Sequence, residues 1–266
     1  MVTEKRKQTF LLIFLISLLF IINYSFLDKA LISFLDEKEE VFVERVIDGD
    51  TIVINEGKRV RLLGINAPER GEDYYREAKI FLESRILNKT IKLEFGKDKH
   101  DRYNRLLAYI HSGGKNINLE LVRRGLANFY FPSGKDPYYP EFTEAWKECV
   151  RSKRNLCRKS DERCSECIEI KEFDYYGESA VFRNKCHFEC NLTGWEIKDE
   201  GRKKFVFPEF ILNAGRSVRV KVGNGTDNKE ELFWKIRNSE GHVWTKTGDT
   251  LFLRDRSKGL VLWRSY

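Results

Sequence analysis

Val46-Ile-Asp-Gly-Asp-Thr51 joins two runs of strand-forming residues, Val41–Ile47 and Thr51–Asn55, through an Asp48-Gly49 turn. Working outward, Glu56-Gly57 offers the positive φ of a tight hairpin and returns the chain onto Lys58–Leu63. Asp73–Leu87 has helical period, with Ala78, Phe81, Leu82 and Arg85 marking successive turns. Thr90–Phe95 and Arg105–His111 read as further strands, and Ile117–Arg124 and Pro140–Arg154 as short helices. Five strands with three interspersed helices predict an α+β domain on a small OB-fold barrel.

Charge points to the same segment. The chain of 266 residues carries a net +7, and the excess is uneven. Residues 41–160 hold 24 Lys and Arg against 17 Asp and Glu, whereas residues 161–266 hold 19 against 18. A positive field there attracts a polyanion and speeds its capture. Only one Met and five Pro argue against a long disordered tail.

Three stretches carry chemistry: VIDGDT, RLLGINAPE (Arg61–Glu69) and DRYNR (Asp101–Arg105). Residues two apart on an extended segment point to one side, so Asp48 and Asp50 can face one cation. Oxygen donors with no histidine or thiol nearby suit Ca2+ or Mg2+ rather than zinc. Glu69 follows Pro68, whose ring stiffens the backbone, and a carboxylate beside a cation stays ionised and can accept a proton from water. Arg61 and Arg105 supply planar guanidinium groups that match two phosphate oxygens at once. Arg59 shares the face of Arg61 only if that strand is regular.

In this order and spacing, the three stretches resemble the thermonuclease (staphylococcal nuclease-like) family, over about Val41 to Cys157. The resemblance implies Ca2+-dependent hydrolysis of DNA or RNA, with one Ca2+ per nuclease domain and 3′-phosphorylated products. It makes Asp50 and Asn66 side-chain ligands, Ala67 a carbonyl ligand, and Asp48 a supporting acid. It assigns Glu69 general-base or water-positioning work and sets Arg61 and Arg105 on the scissile phosphate. Tyr103 falls near the substrate phosphate, and Phe129, Tyr130 and Phe131 come where bases are stacked, Phe131 being the substrate-binding candidate. Two departures stand out. Asn66 occurs where many relatives have Asp, which predicts calcium binding weakened to about 0.1–1 mM. Asn104 replaces a common glycine, and Asn tolerates left-handed φ.

Phe10–Leu27 is 18 residues without charge, preceded by Lys5, Arg6 and Lys7 and followed by an acidic run, Asp36–Glu40. That pattern predicts a transmembrane signal anchor at residues 10–27, with residues 1–9 in the cytoplasm and everything beyond the 28–40 linker outside the cell. A cleaved signal peptide, giving a secreted protein, shares the same leader, although no small-x-small cleavage site follows it. Six cysteines cluster at Cys149, Cys157, Cys164, Cys167, Cys186 and Cys190. Export favours disulfides, and a four-thiolate zinc knuckle is the alternative.

The nuclease-like domain, residues 41–158, and a cysteine-containing linker, 159–167, precede a second domain at 168–266. There, short strands are expected at Ile168–Tyr175, Ala180–Arg183, Trp195–Lys198, Val218–Val222, Leu232–Arg237, Val243–Lys246, Thr250–Arg254 and Leu260–Trp263, the pattern of an all-β sandwich. LTGW (Leu192–Trp195), FVFPEFILNAGRSVRV (Phe205–Val220), VGNG (Val222–Gly225) and GDTLFLRD (Gly248–Asp255) resemble the lamin-tail domain, an immunoglobulin-like sandwich. It implies a docking module whose ligand the residues do not specify. Trp195, Trp234 and Trp244 are expected in its core. The resulting expectation is a monomeric, membrane-anchored, outward-facing nuclease. Its rival is an anchored surface module that grips nucleic acid without cutting.

Overall fold

Alternation of valines with polar residues starts the first strand of the computed structural model, which describes residues 38–236 and 242–266 together with Arg6. In β1 (Glu39–Val46), Val41, Val43 and Val46 point inward. A bulge between Val43 and Arg45 shifts the phase by one residue, so that Glu44 and Arg45 both stay in water. β2 (Thr51–Ile54) and β3 (Lys58–Leu62) form the expected hairpin. Its turn, Asn55–Gly57, has positive φ at both Glu56 and Gly57.

The next elements are β4 (Ile65–Asn66), α1 (Tyr75–Ile86), β5 (Thr90–His100), β6 (Leu106–Ser112), β7 (Lys115–Asn116), α2 (Ile117–Arg123), β8 (Asn128–Phe129) and α3 (Tyr139–Ser152). The sheet order β3-β2-β1-β5-β6-β7, with β3 also pairing β6 in parallel, closes five long strands into a barrel. α1 turns Ala78, Leu82 and Ile86 onto the barrel. The Asn116 side chain caps α2 by accepting from the Leu119 amide. α3 buries Phe142, Ala145, Trp146 and Cys149.

The remaining strands are β9 (Ile168–Asp174), β10 (Ser179–Asn184), β11 (Cys190–Asn191), β12 (Glu196–Lys198), β13 (Lys204–Val206), β14 (Ile211–Leu212), β15 (Ser217–Val222), β16 (Glu231–Trp234), β17 (Thr250–Arg254) and β18 (Leu260–Ser265). Two four-stranded sheets, β16-β15-β10-β9 and β13-β12-β17-β18, enclose a core containing Trp195, Trp234 and Trp244. Residues 243–246, expected as a strand, form a loop that still buries Val243 and Trp244. The very short β11, β13 and β14 lack enough residues for a visible alternation. The six cysteines pair as Cys149–Cys157, Cys164–Cys190 and Cys167–Cys186.

The two halves share a core. Phe252, Leu260 and Trp263 of the second half pack with Phe129 and Trp146 of the first. Backbone bonds extend the join: Ser160 N–H donates to Leu260 O at 3.0 Å and Leu260 N–H to Arg158 O at 2.7 Å. Residues Glu40–Tyr266 accordingly form one compact unit. The apolar stretch at 10–27 lies outside the described residues, among which no helix is long and apolar enough to cross a membrane.

Candidate active site

The β1–β2 turn is built to hold a carboxylate still. Asp48 accepts the Asp50 amide at 3.0 Å, locking the turn from behind. Burial, and then the neighbouring Asp50 charge, push the Asp48 carboxyl above its ordinary range. Gly49 is required by close approach: a Cβ there would lie 2.6 Å from Ala67 Cβ and 2.8 Å from Ala78 Cβ. That contact lets α1 and the 65–67 segment close over the turn.

Asp50 is only 4 % exposed. Its Oδ1 accepts Thr51 Oγ1 at 3.0 Å and its Oδ2 accepts the Ala67 amide at 2.9 Å. The same Oδ2 lies 3.2 Å from Arg61 Nη2, which reaches Asn66 Oδ1 at 3.5 Å. Arg61 Nη1 donates to Leu62 O at 2.7 Å, fixing the guanidinium plane. Thus Asp50, Arg61, Asn66 and Ala67, spread over three elements, meet at one end of the barrel. Arg59 lies on the exposed start of β3 and stays in solvent, although β3 pairs with β2 in unbroken register.

Glu69 lies just beyond, where its amide donates to Glu72 Oε2 at 2.9 Å and its carboxylate pairs with Arg202. Burial opposes ionisation of Glu72, but Lys198, the Glu69 amide and Lys204 outweigh it and hold that carboxyl low. Arg105 and Tyr103 form a separate cluster on the β5–β6 turn. Asp101 receives Arg105 Nε and Nη2, each at 2.8 Å, and also the amides of Tyr103 and Arg105. Burial would raise the Asp101 carboxyl, yet the Arg105 amide and guanidinium and the Tyr103 amide hold it below its usual range. Asn104 takes φ 59°, the left-handed turn its type tolerates. Tyr103 is 65 % exposed and free to meet a ligand. Val60 opposes Leu106 and Arg61 opposes Leu107, so this turn flanks the strand bearing Arg61.

Phe131 requires a correction. It is 6 % exposed and packs edge-on against Tyr139 and Phe142, with ring centroids 5.2 and 5.4 Å apart, so no ring face is open for stacking. Extended residues two apart share a side, and Phe129 and Phe131 both turn inward while Tyr130 turns out. Tyr130 is half-buried, and its hydroxyl is pushed up by burial and then by the Asp199 charge, with Arg61 acting the other way. Of these three aromatics Tyr130 is the one not fully buried.

Two further contributors escape a linear reading. Asn128 opposes Asn66 across the β4–β8 pair, and its buried Oδ1 has no hydrogen-bond partner among the described residues. Asn66 Nδ2 donates to Gly201 O at 2.9 Å and Glu200 O at 3.3 Å, in the distant β12–β13 turn. No local pattern announces a contact across that much chain.

The donor chemistry fits a hard cation. Asp50 offers a carboxylate, Asn66 a carboxamide oxygen and Ala67 a peptide carbonyl, all oxygen ligands. Among the described residues no group of three or more His, Cys, Asp or Glu is placed to hold a metal ion.

A five-stranded barrel gathering an acid, a carboxamide and an arginine at one end defines an OB-fold domain with an oxygen-lined, arginine-clamped site. The chain belongs to the staphylococcal nuclease family. Residues 59–159 match the family described as Staphylococcal nuclease homologue, and residues 165–266 match the Lamin Tail Domain. The thermonuclease of Staphylococcus intermedius is 34% identical over 127 residues, covering 44% of this chain and 76% of the relative. That of Staphylococcus hyicus is 36% identical over 125 residues, covering 43% and 73%. An uncharacterized endonuclease of Escherichia coli O157:H7 is 34% identical over 123 residues, covering 45% and 77%.

Proposed function

We propose that this chain is a Ca2+-dependent nuclease that hydrolyses phosphodiester bonds of DNA or RNA, held outside the cell by its N-terminal segment. The observation that carries the reading is that Arg61 reaches both Asp50, at 3.2 Å, and Asn66, at 3.5 Å, in a chain related to thermonucleases. Asp50, Asn66 and the Ala67 carbonyl would hold the cation, with Asp48 bracing Asp50. A bound divalent ion supplies Lewis acidity and neutralises phosphate charge.

The chain's own groups do the rest. Glu69 accepts a proton from the attacking water as the new P–O bond forms and the bond to the leaving sugar oxygen breaks, the departing alkoxide taking its proton from solvent. Arg61, whose guanidinium plane is fixed, and Arg105, oriented by Asp101, clamp the nonbridging oxygens as charge builds on them. Tyr103 and Tyr130 flank the path of the strand. The three disulfides and the positive-inside leader support an outward-facing anchored chain.

The test is cleavage of single-stranded DNA and RNA by the purified chain with millimolar Ca2+ and with EGTA. Cutting abolished by EGTA supports the reading. Tight binding without cutting at saturating Ca2+ replaces it with a non-cleaving nucleic-acid-binding module.

A further inference from the structure

Among the described residues, the β12–β13 region of the lamin-tail half meets the nuclease site through hydrogen bonds and ion pairs. Gly201 and Glu200 carbonyls accept both hydrogen bonds of the Asn66 amide nitrogen. Arg202 pairs with Glu69, Lys198 approaches Glu72 at 3.5 Å, and Glu200 Oε2 accepts the Phe131 amide at 3.1 Å. The turn is internally braced, since Asp199 accepts the Lys203 amide at 2.9 Å and donates its own amide to Lys203 O.

We propose that the tip of this turn, Gly201–Arg202, is a built-in cap that competes with nucleic acid for the nuclease site and lifts when a polyanion engages. The proposal rests on the nuclease reading of that site. With the cap in place Arg61 is 8 % exposed and Asn66 4 % exposed, too enclosed to receive a phosphodiester. Arg202 pairs with the Glu69 carboxylate that must take a proton from water, and its side chain stands where that water would sit.

Asn66 itself fits the cap. An aspartate there would turn carboxylate oxygens toward two carbonyl oxygens, whereas the amide nitrogen donates to both. The residue that departs from the thermonuclease pattern is therefore the one the docked turn requires. The opening is local. An apolar interface through Trp146, Phe252 and Trp263 holds the lamin-tail body in place, and Glu200 is anchored to it by Asp249 and Thr250, so only the exposed Arg202–Glu69 pair and the buried bonds to Asn66 must break for the tip to lift. A chain of phosphates offers Arg202 an alternative partner, so substrate displaces the cap that excludes it.

The experiment uses the full chain and its Arg202→Ala and Arg202→Glu variants. An exposed pair of this kind is worth little, so releasing it should raise kcat/KM on a single-stranded oligonucleotide about two- to fivefold in Arg202→Ala, and at least as much in Arg202→Glu. Unchanged rates overturn the proposal. A fall in Arg202→Ala with a deeper fall in Arg202→Glu also overturns it, because Arg202 would then be gripping substrate. A second readout needs no catalysis: hydrogen exchange of the 196–206 segment in wild type, with and without a non-cleavable phosphorothioate oligonucleotide. Faster exchange on binding supports a lifting cap, and unchanged or slower exchange overturns it. If no variant cuts under any condition, the nuclease reading fails while the exchange result still decides the cap.

Discussion

Phe252→Ala removes the side chain that most directly joins the two halves. Phe252 is fully buried, with its ring centroid 5.2 Å from that of Trp146 and 6.1 Å from that of Phe129. Truncating a buried Phe costs about 3–5 kcal/mol, because lost burial and the cavity left behind add together. For a unit of this size each kcal/mol moves Tm by roughly 2–4 °C, so a fall of about 6–20 °C is expected. The effect reaches the site through β8, which carries Phe129 and pairs with the β4 strand that carries Asn66. Thermal unfolding followed by tryptophan fluorescence and by far-ultraviolet circular dichroism should show one transition in wild type and one lowered transition in the variant, with loss of cleavage tracking it. Two separate transitions, with the nuclease half unfolding at its wild-type temperature, would refute the shared core.

Arg61→Lys keeps the charge but loses the fork that bonds Leu62 O, Asp50 and Asn66, and kcat should fall about 10²–10³-fold with normal folding by circular dichroism. Asn66→Asp should do two things at once: lower the half-saturating Ca2+ roughly tenfold from a wild-type value of about 0.1–1 mM, and reduce Tm in EGTA by opposing the two carbonyls. Activity titrated with buffered Ca2+, and melting in EGTA, check the two halves of that statement. Burial and then Asp249 push Asp199 up to about 7 and Glu200 up to about 8. Between the ordinary carboxyl range and about pH 8 the folded chain therefore holds protons that the unfolded chain has released, so stability should fall as pH rises through that window. Melting temperatures across the window should decline in wild type and flatten in Glu200→Gln; a rise with pH would contradict the assignment.

Local chemistry was legible, and long-range contact was not. The DGD turn, the hairpin and the arginine on β3 could be read because each rests on neighbours a few residues apart. Even there the β1 bulge hid in plain alternation, since Glu44-Arg45 reads as two polar residues until the register is known. The choice of Phe131 over Tyr130 failed for a similar reason: three aromatics in a row say nothing of which side faces the core until β8 pairs with β4. The cysteine pairing, the shared Phe129–Trp146–Phe252 core and the Asn66 contact with residues 200 and 201 join distant segments. Nothing in composition or period encodes those meetings. The substitution at Asn66, which alone reads as a weakened metal site, gains a structural reason only when the turn opposite it is seen.

The most direct test of the account is Glu69→Gln in the full chain, assayed on single-stranded DNA at saturating Ca2+ beside wild type, with oligonucleotide binding measured in parallel. The side chain keeps its size and loses its capacity to take a proton, so cleavage should fall by about 10²–10⁴-fold while binding stays within a few-fold of wild type. Cleavage at the wild-type rate in Glu69→Gln would place the chemistry elsewhere and contradict the site described.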